Sequence, residues 1–509
     1  MAQIKVSDLS FAYPGSYDNI FEHTSFQFDS DWKLGFIGRN GRGKTTFLKL
    51  LMGEFPCRGR IDAPIAFDYF PFAVPHPALP AGDVCVEIAP DVPAWRLARE
   101  MAALELDEEL LERPFDTLSQ GEQTKLQLCL LFARENRFLL IDEPTNHLDM
   151  RGRESVSRYL RAKRGFLLVS HDRAFLDGCV DHILSLNRAD IEVQKGNFSS
   201  WWENRRRRDA FETAENERLK KDIRRLQDAA REKARWSDAA ERRKTGIDRT
   251  QVDNVKGWAP LQGAKSKKQM ARAKAIEKRR DAAMEEKQGL LKNLEEVEAL
   301  KLIQPPFYTD RLAELRALAI DYGSGPLFAP LSVTLRTGDR VALTGPNGSG
   351  KSSVIKLLCG GDVPHTGLCE TASRLAISYV PQDTGFLRGD LKDFARERGI
   401  DESLFKAILR KLDFSRVQFE KDMADYSAGQ KKKVLLAASL CEKAQLHVWD
   451  EPMNYIDVYS RMQLEELILQ SRPTLLFVEH DRAFCDRVAT AKIELRGDAR
   501  EAQDRAVTF

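Results

Sequence analysis

Two short apolar runs that end in an acid, FLLID at 138–142 and LHVWD at 446–450, set the pattern of this chain. Runs of that length with no polar face predict strands buried on both sides of a sheet. GFLLVSHD at 165–172 and TLLFVEHD at 474–481 repeat the pattern. Glycine-rich turns at 38–43 and 345–350 lead into the apolar segments FLKLLMG and VIKLLCG, which read as helices. Strand, glycine turn, helix and further strands predict an α/β fold with a largely parallel core sheet.

The middle of the chain reads differently. From 203 to 243 there is no Pro or Gly, and Phe211, Leu219, Ile223 and Leu226 form a narrow apolar stripe on a charged segment. A second charged stretch, from about 264 to 299, carries Met270, Ile276, Met284, Leu291 and Leu294. Between them TGIDRTQVDNVKGWAPLQG holds the Gly, Pro, Asp and Asn of a loop. Two long helices joined by a loop make an antiparallel hairpin, and a helix of 40 residues reaches ~60 Å.

The outer parts are copies of each other. GRNGRGKTT at 38–46 is answered by GPNGSGKSS at 345–353, LSQGE at 118–122 by YSAGQ at 426–430, and SHDRAF at 170–175 by EHDRAF at 479–484. Lys44 and Lys351 are 307 positions apart, Ser119 and Ser427 308, Glu143 and Glu451 308, and His171 and His480 309. Four motifs in one order and register are a duplication. The expected organisation is a first nucleotide-binding domain over 1–200, a helical hairpin linker over 201–303, and a second nucleotide-binding domain over 304–509.

Composition narrows the class. A chain of 509 residues is too long for one ordinary core. No stretch approaches the ~20 apolar residues of a membrane span, and the start lacks the pattern of a signal peptide, so a cytoplasmic, membrane-free protein is expected. The 8 cysteines are scattered without CxxC spacing, which predicts buried reduced thiols. Net charge is only +2, yet residues 201–280 hold 25 Lys and Arg against 13 Asp and Glu, a net of +12. Such concentration suggests a polyanionic partner, and the alternative is a solvated coiled coil.

The chemistry is that of phosphates. GxxxxGK[ST] spans Gly38–Thr45 and Gly345–Ser352. Its backbone N–H groups and the helix start after it cradle an anion. The predicted ATP contacts are Gly38, Asn40, Gly41, Gly43, Lys44, Thr45 and Thr46 in one copy, and Gly345, Asn347, Gly348, Gly350, Lys351, Ser352 and Ser353 in the other. Lys44 and Lys351 reach β- and γ-phosphates, while Thr45 and Ser352 coordinate Mg2+. Asp142 and Asp450, at strand ends, are further Mg2+ ligands. Glu143 and Glu451 follow them as candidate general bases, and His171 and His480 can bond the γ-phosphate. Ser119 with Gly121, and Ser427 with Gly429, open a helix and can present it to a phosphate from outside.

That Ser-x-Gly-[Glu/Gln] segment, 24 residues before the glutamate in both copies, resembles the signature of the ABC ATPase superfamily. The resemblance implies that the signature of each domain closes over the phosphate loop of the other. Site one would then join Lys44 to Ser427 and Gly429, and site two Lys351 to Ser119 and Gly121. Tyr13 and Tyr322 look like the aromatics that stack on adenine, or else belong to the core. YVPQ at 379–382 supplies the family's Mg2+-linked glutamine, Gln382, but YFPF at 69–72 puts Phe72 in its place. A phenyl ring cannot bind Mg2+ or orient water, so site one is expected to be the slower. EPMNYID at 451–457 also departs from EPTNHLD at 143–149.

Two ABC domains joined by a charged hairpin resemble the ABC-F family, which acts on ribosomes. IGRNGRGKTTFLKLL at 37–51, NFSSWWENRRRRDAFETAENERLKKDIRRL at 197–226, RAKAIEKR at 272–279 and DEPMNYIDV at 450–458 are similar to the Lsa and Vga antibiotic-resistance branch. The spacing from 72 to 119 leaves no room for the arm of the housekeeping branch. The resemblance implies a monomer whose linker meets 23S rRNA and P-site tRNA on the 70S ribosome and relieves lincosamides, streptogramin A compounds and pleuromutilins. Its tip would carry Arg249, Lys256, Trp258 and Leu261. There Trp258 and Leu261 either stack on a base or fold back to cap the hairpin. A drug-independent translation factor, a DNA-associated ATPase and a transporter motor are the other readings.

Overall fold

The computed structural model describes residues 2–14, 19–146, 148–186, 191–215, 217–218, 221, 307–323 and 325–496. Met1–Trp201 with Ala299–Phe509 form one compact unit, and Trp202–Glu298 a second.

The first unit holds two α/β layers of matching design. In the first half, the apolar runs become a sheet ordered Ala66–Phe70, Arg137–Asp142, Phe166–Val169, Lys33–Gly38, His182–Leu186 and Ile191–Lys195. All neighbours are parallel except the last pair. In the second half, Ile377–Val380, Leu446–Asp450, Leu475–Val478, Arg340–Thr344 and Ala491–Glu494 form a wholly parallel sheet. The central strands are buried on both faces, as continuous apolar runs require. Phe28, Phe36, Phe47 and Phe138 fill the first core, and Trp449, Phe477, Phe484 and Leu435 fill one of the second half's cores.

Each half also carries a three-stranded antiparallel sheet, which sequence reading did not separate from the core sheet. Its middle strand bulges. Asp8 turns to φ 53° and its N–H donates to Ser25 Oγ, while Ala317 turns to φ 47° and donates to Ser332 Oγ. Opposite each bulge stands a glycine. A Cβ on Gly59 would lie 2.3 Å from Asp8 O, and one on Gly367 2.3 Å from Ala317 O.

The cysteines are free thiols, but only Cys85, Cys129, Cys179 and Cys485 are buried; Cys57, Cys359, Cys369 and Cys441 are half-buried. The expectation of buried thiols therefore holds for four of the eight. In the second unit, the described part continues a helix over 198–215, with Arg207 paired to Glu203 and Arg205 to Asp209 one turn away. The hairpin, its loop and the tip residues Arg249, Lys256, Trp258 and Leu261 lie outside the described residues.

The two bulge glycines give a stability prediction. Gly59→Ala and Gly367→Ala should each cost about 2–4 kcal/mol by denaturant titration, because both strain and a backbone clash are introduced. Gly53→Ala, at φ 75° but with open space around a Cβ, should cost only about 1 kcal/mol.

Candidate active site

Each phosphate loop is built by the same local rules. The strand Lys33–Gly38 turns through Gly41 at φ 76° and Gly43 at φ 97° into the helix Lys44–Leu51. Arg340–Thr344 turns through Gly348 at φ 78° and Gly350 at φ 88° into Lys351–Leu358. A Cβ on Gly43 would stand 2.3 Å from Ile20 Cγ2, so only glycine lets this turn close on the sheet. Lys44 Nζ donates to Gly38 O at 2.9 Å, and Lys351 Nζ to Gly345 O at 2.9 Å. Burial first of all pulls both ammonium groups below the usual lysine range, against the pull of nearby carboxylates.

The acids converge on these loops. Thr45 Oγ1 donates to Asp142 Oδ2 at 2.8 Å, and Ser352 hydrogen-bonds Asp450. Asp450 Oδ1 is buried with no hydrogen-bond donor. A buried carboxylate oxygen left unsatisfied beside a hydroxyl suits a hard divalent cation, so Mg2+ fits Ser352 with Asp450 and, by the same arrangement, Thr45 with Asp142. Glu143 and Glu451 follow at φ 51° and 46°, left-handed conformations rare for glutamate. Both are held there by the sheet: Glu143 N donates to Val169 O at 2.9 Å and Glu451 N to Val478 O at 3.0 Å. Backbone strain of this kind is kept only where surrounding structure fixes it.

The two glutamates meet different surroundings. His171 Nε2 hydrogen-bonds Asn40 Oδ1 at 3.0 Å and lies 3.2 Å from Glu143 Oε1. Burial, reinforced by the Asp142 charge and opposed by Lys44 and Arg461, pushes Glu143 up to about 8. Burial, with Lys44 and Arg461 adding to it, holds His171 well below the usual histidine range, so it is neutral. Around Glu451 burial is outweighed: His480 Nε2 lies at 3.6 Å, the buried Lys432 adds a charge, and Asn454 Nδ2 donates at 2.6 Å. Its carboxyl is lowered. Gln382 Nε2 also donates to Glu451 Oε2 at 2.9 Å. Strand register pairs Tyr69 with Leu140 and Tyr379 with Val448, each two residues before the strand-end aspartate. Counting on, Phe72 stands where Gln382 stands, and in that half Tyr69 Oη reaches Asp142 Oδ2 at 3.1 Å instead.

Tyr13 and Tyr322 are 40% and 58% exposed, which removes the core alternative. Each hydroxyl pairs with the residue after the Mg2+-type hydroxyl, Tyr13 with Thr46 Oγ1 at 2.9 Å and Tyr322 with Ser353 Oγ at 3.0 Å. The rings thereby stand at the edge of each phosphate loop, open to a base.

Ser119 and Ser427 are N-caps of the helices Gln120–Ala133 and Ala428–Cys441, each in a capping box with Glu122 or Gln430. The fourth signature residue is thus a cap partner, a role visible in the Ser-x-x-[Glu/Gln] spacing. The halves meet at the first of these sites. Asn40 Nδ2 donates to Tyr455 O at 2.7 Å, and a Cβ on Gly429 would lie 2.3 Å from that same oxygen and 3.1 Å from Asn40 Nδ2. Lys44 feels Asp457 and Lys433 of the other half, and Lys351 feels Asp149. Gly429 is buried and Gly121 half-buried, while Ser119 and Ser427 are both exposed.

Comparison with known proteins agrees with this arrangement. The ABC transporter family model matches residues 21–146 and 328–454. Ribosome protection protein VmlR of Bacillus subtilis (strain 168) is 27% identical, covering 97% of this chain and 87% of that protein. Energy-dependent translational throttle protein EttA of Haemophilus influenzae is 28% identical, covering 93% and 88%. The chain carries two tandem ABC-type ATPase domains and is similar to ABC-F proteins over nearly its whole length. Among solved structures, a complex of archaeal ribosomal stalk protein aP1 and archaeal ribosome recycling factor aABCE1 superposes at TM-score 0.60 and 19% identity, over 96% of this chain and 88% of that one, a likeness of fold. The chain is an ATP hydrolase, and its domains bind ATP with Mg2+. Among the described residues no helix is long and apolar enough to cross a membrane.

Several residues of the site escaped the sequence reading. Asp149 and Asp457 cap the next helix, and Arg153–Asp172 and Arg461–Asp481 pair at 2.9 Å, fully inside. Arg173 binds Glu465 of the other half in a buried two-pronged pair, while the matching Arg482 meets Glu154 at 3.0 Å in the open. Breaking a buried pair costs about 3–5 kcal/mol, and an exposed one contributes about 0–1.

Glu143 yields a pH prediction. Its folded carboxyl holds a proton between about pH 4.5 and 8 that the unfolded chain has lost, so stability falls as pH rises through that window. In nucleotide-free protein, Glu143→Gln should remove this slope and stabilise by on the order of 2 kcal/mol at pH 8. Glu451→Gln should not stabilise, since that carboxyl is favoured in its charged form. Melting curves from pH 5 to 8 decide it.

Proposed function

We propose that this ABC-F ATPase binds the ribosome and protects it from antibiotics of the peptidyl-transferase centre. The supporting observation is the pairing of an ATP-operated unit with a segment, 201–280, of net charge +12. That excess suits counterion release from an RNA surface. The near full-length likeness to the ribosome protection protein VmlR supports the same reading. In it, Asp142 with Thr45, and Asp450 with Ser352 and Gln382, hold Mg2+, which neutralises phosphate charge. Glu143 and Glu451 take a proton from water, and His171 and His480 steady the γ-phosphate. The linker 201–303 enters at the tRNA exit site of the 70S ribosome, beside 23S rRNA and P-site tRNA, with Arg249, Lys256, Trp258 and Leu261 foremost. The protein acts as a cytoplasmic monomer. The likeness to the translational throttle protein EttA favours the second reading, a translation factor that works without drug.

Trapping separates these from a role off the ribosome. The Glu143→Gln/Glu451→Gln double variant with ATP should co-sediment with 70S ribosomes, and its absence from the ribosome pellet would reject both. Expression of the native chain in a sensitive host should raise inhibitory concentrations for lincosamides, streptogramin A compounds or pleuromutilins. No rise for any of them would leave the translation-factor reading.

The two single variants test the inequality of the sites. With Phe72 in place of the glutamine, site one is the slower. Glu451→Gln should therefore remove most ATP turnover, roughly tenfold or more, and Glu143→Gln much less. Equal residual rates would reject the assignment.

A further inference from the structure

We propose that the two ATP-binding seams are mechanically unequal: the seam on Lys44 is latched by charge pairs between the halves and serves as the hinge, while the seam on Lys351 opens. The inference stands on the contacts between the halves and is independent of any ribosomal role.

The duplication supplies an internal control, because each contact has a counterpart position in the other seam. At the Lys44 seam, Arg39 of the phosphate loop pairs with Asp413 of the opposite half at 2.9 Å, and Arg42 comes within 4.0 Å of the same carboxylate. The Arg39 guanidinium also stands 5.6 Å from the Tyr459 ring. At the other seam the matching loop residues are Pro346 and Ser349, neither able to form an ion pair. Asp413 follows the helix Glu402–Lys411 at φ 67°; its counterpart Glu105 follows Ala94–Ala103 at φ 57°. Backbone placement is thus equal, but Glu105 is spent on Arg158 of its own half at 3.2 Å.

A second, separate contact runs the same way. Arg173 and Arg482 occupy matching positions beside the two histidines. Arg173 is buried against Glu465, whereas Arg482 pairs with Glu154 in solvent. The position matching Glu465 holds Ser157, which cannot receive an arginine charge. Two unrelated pairs therefore tie the same seam, and the difference resides in residue identity. A water-screened pair yields readily when hydrolysis weakens the nucleotide's hold; a desolvated one does not.

Asp413→Asn tests the latch, since asparagine accepts the left-handed backbone and removes only the charge. The measurement is dissociation of a fluorescent ATP analogue from the full chain carrying Glu143→Gln and Glu451→Gln. Adding Lys351→Ala confines nucleotide to the Lys44 seam, and Lys44→Ala confines it to the Lys351 seam. Asp413→Asn should speed release from the Lys44 seam by about tenfold, and Glu465→Gln, which breaks a buried pair and also releases Arg487, by on the order of a hundredfold or more; neither should change release from the other seam more than twofold. Glu105→Gln should leave both rates unchanged. Equal acceleration at both seams, or none at either, overturns the proposal. A misfolded Glu465→Gln would show in its melting curve, leaving Asp413→Asn to decide.

Discussion

An approach too close for a single methyl group makes a site out of two half-sites in this protein. Gly429 lies where a Cβ would strike Tyr455 O and crowd Asn40, and Asn40 Nδ2 holds that same carbonyl. The start of a signature helix can thereby face the phosphate loop of the other half, with the positive ends of two helices converging on one point. Neither half could neutralise a triphosphate as well alone. A nucleotide held at such a joint would draw part of its binding energy from each half.

Much of this was legible because phosphate chemistry leaves little freedom. A loop that must turn on glycines, a lysine at its end, a hydroxyl next to it and an acid at a buried strand end all appear as residue types at fixed spacings. The structure places Lys44, Thr45 and Asp142, or Lys351, Ser352 and Asp450, together as those spacings imply. Even the odd residue was readable: register puts Phe72 opposite the role of Gln382.

What was not legible is what the chain does at long range. Nothing around Glu465 marks it as the partner of Arg173, 292 positions away. Asp413 looks like an ordinary acid after a helix until its backbone turns left-handed toward Arg39. The divergent EPMNYID stretch had no stated purpose, yet its Tyr455 carbonyl is the acceptor that Asn40 uses. Glu122 and Gln430 serve two patterns at once, closing the signature segment and completing a reciprocal capping box with Ser119 and Ser427.

The last residue of the first unit's leading segment, Trp201, sits beside the seam that carries the charge pairs. The Trp201 ring packs edge-on against Tyr459 at 6.2 Å. The other side of the account is Arg39, which reaches the same tyrosine as well as Asp413. One aromatic ring therefore touches both the phosphate loop of site one and Trp201. Opening the Lys44 seam would part Arg39 from Tyr459 and from Asp413 together, whereas opening the Lys351 seam would leave this cluster intact. The arginines that the second phosphate loop lacks thus join the loop of site one to a ring that Trp201 also touches, so one small set of residue identities distinguishes the two seams.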